Sequence, residues 1–91
     1  SRALARGTMG YALVEFTITD SGSVEDANTI EGYCSNTNPS DPSTEFRTCT
    51  MFNSASARAA LKLKYKPKIV NGKAVPVTGV LHRFTYILDE E

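Results

Sequence analysis

After Gly10 the sequence runs Tyr-Ala-Leu-Val-Glu-Phe-Thr-Ile-Thr, placing Ala12, Val14, Phe16 and Ile18 at every second position. Successive side chains of a strand point to opposite faces, whereas the apolar residues of a helix recur every three or four. The segment therefore reads as a strand with one buried face. Tyr11, Glu15, Thr17 and Thr19 fall on the other face, with Leu13 an apolar exception. A half-buried strand needs a second layer to lie against. In 91 residues that means one domain, residues 1–91, whose core is thin: a chain of this size buries only about 60–65% of its unfolded surface.

The remaining elements follow from turn signals and a change of period. Asp20-Ser21-Gly22-Ser23 is a turn, because Asp bonds its own backbone and Gly takes positive φ. Val24 to Glu31 then reads as a weaker second strand whose alternation falters around Ala27–Ile30, the signature of a bulge. From Phe52 the spacing becomes helical, with Ala55, Ser56, Ala59, Ala60 and Leu63 on one side, Asn53 as the expected N-cap and Tyr65-Lys66-Pro67 as the end. Asn71-Gly72 marks a tight turn between Ile69-Val70 and Ala74-Val75. Pro76 and Gly79 are expected to make the next stretch irregular, before a closing strand from Val80 to Leu88 and a solvated tail, Asp89-Glu90-Glu91. The order strand, strand, helix, strand predicts an α+β two-layer sandwich: a three-stranded antiparallel sheet with one main helix packed on one face.

Cys34 and Cys49 bound a stretch, residues 33–50, rich in Ser, Thr, Asn, Asp and Pro. Two Cys with no neighbouring Cys or His cannot complete a four-ligand zinc site, and no other metal or cofactor motif is present. A single disulfide closing a polar loop is the economical reading and implies an oxidising compartment; two free thiols are the alternative that spacing leaves open. His82 has no nucleophile or carboxylate beside it in a recognisable catalytic context, so no enzyme is expected.

Net charge is zero but unevenly placed. No acidic residue occurs between Phe46 and Leu88, while Arg47, Arg58, Lys62, Lys64, Lys66, Lys68, Lys73 and Arg83 do. The bland reading is lysines facing water; the sharper one is a face for an anionic partner. Nucleic acid is a poor candidate, since a binder of this size usually carries net positive charge and exposed stacking aromatics. No apolar run approaches the roughly 20 residues of a membrane span, so any membrane anchor is expected outside these residues.

Three strands leave two sheet edges, and the last strand carries few devices to guard its own, which suggests a site for strand addition; an ordinary edge covered by a terminal segment or by a second copy is the alternative that pattern leaves open. The whole-chain order agrees with that reading. Ala3, then Gly10 to Thr19 and Gly22-Ser23-Val24, resembles the opening hairpin of the C-terminal domains of TonB-family energy transducers. Phe52-Asn53-Ser54-Ala55, Ala59 and Leu63-Lys64-Tyr65-Lys66-Pro67 are similar to that family's helix and its aromatic-basic-proline ending. Val70-Asn71-Gly72-Lys73-Ala74-Val75, Gly79-Val80 and Arg83 to Leu88 resemble its closing section. Residues 33–50 are an insertion relative to the family, and Leu63 stands where an aromatic is common.

The resemblance implies a periplasmic binding module, part of a protein anchored in the inner membrane and working with ExbB and ExbD through its N-terminal region. It would capture the TonB box of outer-membrane transporters as an added strand, coupling proton-motive force to uptake. Carried over, the capture edge is Val80, Leu81, His82, Arg83, Phe84, Thr85 and Tyr86, with the backbone supplying most bonds and Arg83 and Thr85 tuning the choice. The competing expectations are a TolA-like periplasmic interaction domain and a structural module whose copies pair edge to edge.

Overall fold

A computed structural model describes residues 7–88. Strand β1 (Met9–Ile18) is the centre of the main sheet, and its inward residues Ala12, Val14 and Phe16 are buried, as the alternation requires. β1 turns into β2 (Val24–Ser35), pairing antiparallel from Ile18 opposite Val24 to Met9 opposite Ser35. The turn is organised by Thr19 rather than by Asp20. The Thr19 hydroxyl accepts from the backbone N–H of Ser21 and Ser23, and the Thr19 N–H donates to the Ser23 carbonyl at 2.8 Å. Gly22 takes φ +86°, and any Cβ there would collide with the Tyr65 carbonyl. The expected bulge region holds two irregularities. Leu13 faces Glu31 while Val14 faces Thr29, so Ile30 is an extra residue, and a second break lies near Asp26, whose φ is +53°.

The sheet differs from the three-stranded expectation. It has four antiparallel strands in the order β3-β2-β1-β6, where β3 is the two-residue Arg47–Thr48 and β6 is Val77–Tyr86. The extra strand comes from the cysteine-bounded stretch, residues 33–50. Tyr33 to Ser35 prolong β2, and the loop then returns so that Thr48 pairs with Tyr33 and Arg47 with Cys34. The cause is covalent: Cys34 and Cys49 form a disulfide with Cα atoms 5.7 Å apart, pinning the end of the loop beside β2. A separate two-stranded sheet, β4 (Lys68–Val70) and β5 (Lys73–Val75), flanks the expected turn at Asn71-Gly72. Strand thus dominates the fold, and the α+β sandwich with one main helix is corrected accordingly.

The helix, α1 (Asn53–Ala60), is only eight residues long. Its N-cap is Phe52, with no side-chain cap hydrogen bond, so Asn53 is the first helical residue and not the cap. Asn53 instead serves the sheet: its carbonyl accepts from the Thr29 hydroxyl at 2.8 Å, and its side chain presses on Gly32, where a Cβ would not fit. The helix stops at Ala60, well before Pro67, through short closing bonds from Lys62 to Ala59 and from Leu63 to Ala60. Beyond it Leu63 and Tyr65 turn partly inward while Lys62, Lys64 and Lys66 are exposed, a period-two run. The Tyr65 N–H donates to the Gly22 carbonyl at 2.9 Å and ties this extended segment to the β1–β2 turn.

The core lies between α1 and one sheet face, in two groups. One gathers Ala12, Cys34 and Phe52 with Cys49 and Tyr86 against them. The other gathers Val14, Phe16, Val24 and Ala60, flanked by Leu63, Tyr65, Val80 and Phe84 among others. Small residues on the helix, the fully buried Ser56 and Ala60, let it sit close to β1 and β2. The final strand begins at Val77, directly after Pro76, not at Val80. The irregularity expected there is a bulge: Phe16 faces Val80 while Ile18 faces Val77, with Gly79 in the shifted stretch. The strand ends at Tyr86, so Ile87 and Leu88 lie outside it. The resemblance at Ala3 and the tail at Asp89-Glu90-Glu91 fall outside the described residues.

Candidate functional site: the outer edge of the last strand

β6 stands at one end of the strand order, paired with β1 on its inner side. Among the described residues no strand pairs with its other side. An edge of this kind presents a row of backbone N–H and C=O groups able to pair with an incoming strand. The two ends of the sheet are unlike. At the far end, β3 contributes two residues, and the rest of β2's outer side is broken by bulges and carries Glu25, Asp26 and Glu31, all exposed. Bulges and charges are the devices that blunt an edge. From Val80 to Tyr86, β6 keeps unbroken register with β1 and carries one formal charge, Arg83.

All seven residues expected at the capture edge lie on β6, and their side chains alternate. Val80, His82, Phe84 and Tyr86 turn toward the helix side and are half-buried. Val80 and Phe84 pack on the second core group, and the His82 ring lies 4.5 Å from that of Phe84. Tyr86 stacks on Phe52 with ring centroids 4.3 Å apart, and its hydroxyl meets that of Ser56 at 2.7 Å. These anchors fix β6 from one face, and among the described residues no strand covers its outer backbone side, so an arriving strand would meet a preorganised template.

Leu81, Arg83 and Thr85 point to the face away from the helix and are exposed. The Arg83 guanidinium carbon sits 3.8 Å from the centroid of the Tyr11 ring, a cation–π contact. Tyr11 in turn packs on Tyr33 and Phe46, each with ring centroids 5.2 Å away. This aromatic cluster holds Arg83 along the sheet surface beside the free edge. Tyr11 and Ser56 were absent from the expected site. The signal for Tyr11 is its odd-numbered parity, shared with Arg83 on the neighbouring strand, which becomes readable only once the register is known.

The disulfide-bounded loop lies at the opposite end of the sheet from β6. Asp41 there accepts from the Ser43 backbone N–H at 2.9 Å and from its hydroxyl at 2.8 Å, which holds its carboxyl below the usual 3.8. Among the described residues no three His, Cys, Asp or Glu side chains gather into a group able to hold a metal ion, and no helix is long and apolar enough to cross a membrane. No protein-family model matches the chain, and no curated protein matches it.

Proposed function

We propose that this chain is a binding module that captures an extended peptide as an added strand on the outer side of β6, in the manner of the TonB C-terminal domains it resembles. The carrying observation is the asymmetry of the sheet: a last strand in unbroken register from Val80 to Tyr86 and anchored from one face, against a far end cut short and broken by bulges. In this reading the partner is the TonB box of an outer-membrane transporter. The domain sits in the periplasm as part of an inner-membrane-anchored protein, and ExbB and ExbD act through its N-terminal region. Backbone pairing along Val80 to Tyr86 provides most of the affinity and tolerates varied box sequences, while Leu81, Arg83 and Thr85 select among them. The disulfide accords with an oxidising compartment.

Titration of isotope-labelled protein with a TonB-box peptide tests this directly. Every second amide between Val80 and Tyr86 should shift and gain protection from exchange, because alternate residues of an edge strand direct their N–H outward. Proline at one of those alternate positions should abolish binding while leaving the fold intact. Absence of any shift in β6 would reject strand capture, and binding by a protein that ignores TonB-box peptides but takes other extended segments would favour the TolA-like reading.

The same uncovered edge would also accept β6 of a second copy. Sedimentation over a range of concentrations separates the two: a dimer that peptide does not dissolve would favour the structural module.

A further inference from the structure

The hairpin β4–β5 stands apart from the main sheet, and its two strands pair chiefly with each other. Its turn residues Asn71 and Gly72 both take positive φ, +52° and +77°, the geometry that keeps a two-residue hairpin tightly twisted. Large apolar side chains are exposed at this tip, Ile69 at 60% and Val70 at 43%. Being consecutive on a strand, they lie on opposite faces of the hairpin. Lys68 and Lys73 share the Val70 face, since Val70 pairs directly with Lys73 and Lys68 lies two residues away. Lys62, Lys64 and Lys66 are exposed on the segment leading into the hairpin. Asp20 and Glu25 stand near its base beside Pro76, and the lysines outnumber them.

From this arrangement we infer that the hairpin is an arm that docks on an anionic lipid bilayer, its tip entering the headgroup region and its lysines remaining among the phosphates. Two features select a bilayer over other anionic partners. A folded protein would contact one face of so thin a ribbon, whereas Ile69 and Val70 present apolar surface on both, which suits immersion. Nucleic acid gains nothing from exposed aliphatic side chains, and this tip has no aromatic for stacking. Lysine stems lie along apolar surface while their ammonium groups reach for the headgroups, so the two residue types at this tip cooperate only at an interface.

The chain has no tryptophan, so Ile69→Trp supplies a single reporter at the tip. With vesicles mixing phosphatidylglycerol into phosphatidylcholine, its emission should shift to the blue and the protein should co-sediment; with phosphatidylcholine alone, neither should occur. A lysine near an anionic surface contributes about fivefold in partitioning, so Lys66→Gln, Lys68→Gln and Lys73→Gln together should weaken binding by roughly a hundredfold. Val70→Asn in the otherwise unaltered chain should weaken it as well, and raised salt should release the protein. All of these residues are exposed, and circular dichroism should confirm that the variants stay folded. No blue shift and no sedimentation with anionic vesicles would overturn the inference, as would binding that survives the triple Gln variant. Equal binding to polyglutamate with no blue shift would also overturn it, pointing instead to an acidic protein partner. Peptide binding at β6 is a separate readout, so the two proposals stand or fall independently.

Discussion

The hydroxyls of Tyr86 and Ser56 meet at 2.7 Å, joining the end of β6 to the middle of α1. Ser56 is fully buried, and a serine inside a helix is otherwise a weak choice, so this bond gives the residue its place. Tyr86→Phe keeps the stack on Phe52 but leaves the Ser56 hydroxyl without its partner, and should cost about 1–2 kcal/mol in urea unfolding. The double variant Tyr86→Phe with Ser56→Ala should cost less than the two single changes summed, because no buried hydroxyl is then left unpaired.

Reduction should act locally before it acts globally. The disulfide closes a loop between residues 15 apart, worth about 3 kcal/mol in the chain-entropy account. With both cysteines replaced by serine, amide exchange should quicken at Tyr33, Cys34→Ser and Arg47 and Thr48, where β3 pairs, while β6 amides follow only the global loss. A melting temperature unchanged by reductant would contradict this.

Gly22 and Gly72 make a controlled pair. Both have strongly positive φ, +86° and +77°, but a Cβ at Gly72 meets open space while one at Gly22 runs into the Tyr65 carbonyl. Gly72→Ala should cost only the backbone strain, about 1 kcal/mol. Gly22→Ala should cost clearly more and should also disturb the Tyr65 to Gly22 hydrogen bond, visible at the Tyr65 amide.

The loop carries a pH signature. Hydrogen bonds from Ser43 favour the ionised form of Asp41, so its folded pKa lies below the usual 3.8. Their contribution is therefore complete above that value and is lost as pH falls through the folded pKa. The Ser43 amide resonance should titrate with a midpoint below 3.8, and Asp41→Asn should remove the titration. A midpoint at or above 3.8 would contradict the assignment.

Much of this fold is legible in the sequence, and the parts that are not have physical reasons. The alternation in β1, the turn at Asn71-Gly72 and the faltering of β2 are local signals, each written into a few consecutive residues. The fourth strand is not local. Arg47 and Thr48 have no alternating run of their own and become a strand because the disulfide lays them beside Tyr33 and Cys34. The helix is shorter than its pattern suggests because Leu63-Lys64-Tyr65-Lys66 satisfies two periods at once. Leu63 fits the helical face, yet the same four residues alternate as an extended chain, and the Tyr65 bond to Gly22 decides between them. At the candidate edge, the closing strand and its alternation are readable in sequence, whereas the choice of the seven residues comes from the resemblance. The anchoring of Tyr86 to Ser56 and of Arg83 over Tyr11 depends on register between segments far apart in the chain.

That separation has a consequence for how the molecule is made. β1 is the central strand, yet its two neighbours are β2, which follows at once, and β6, which is among the last residues described. During synthesis the β1–β2 hairpin can form early, but one flank of β1 must wait until β6 has been made before Gly10 finds Tyr86. A nascent or truncated chain therefore displays β1, with its apolar face, as an unprotected flank prone to joining other chains. Completing β6 moves the unpaired side, among the described residues, from a strand of the interior to one whose exposed face carries Leu81, Arg83 and Thr85.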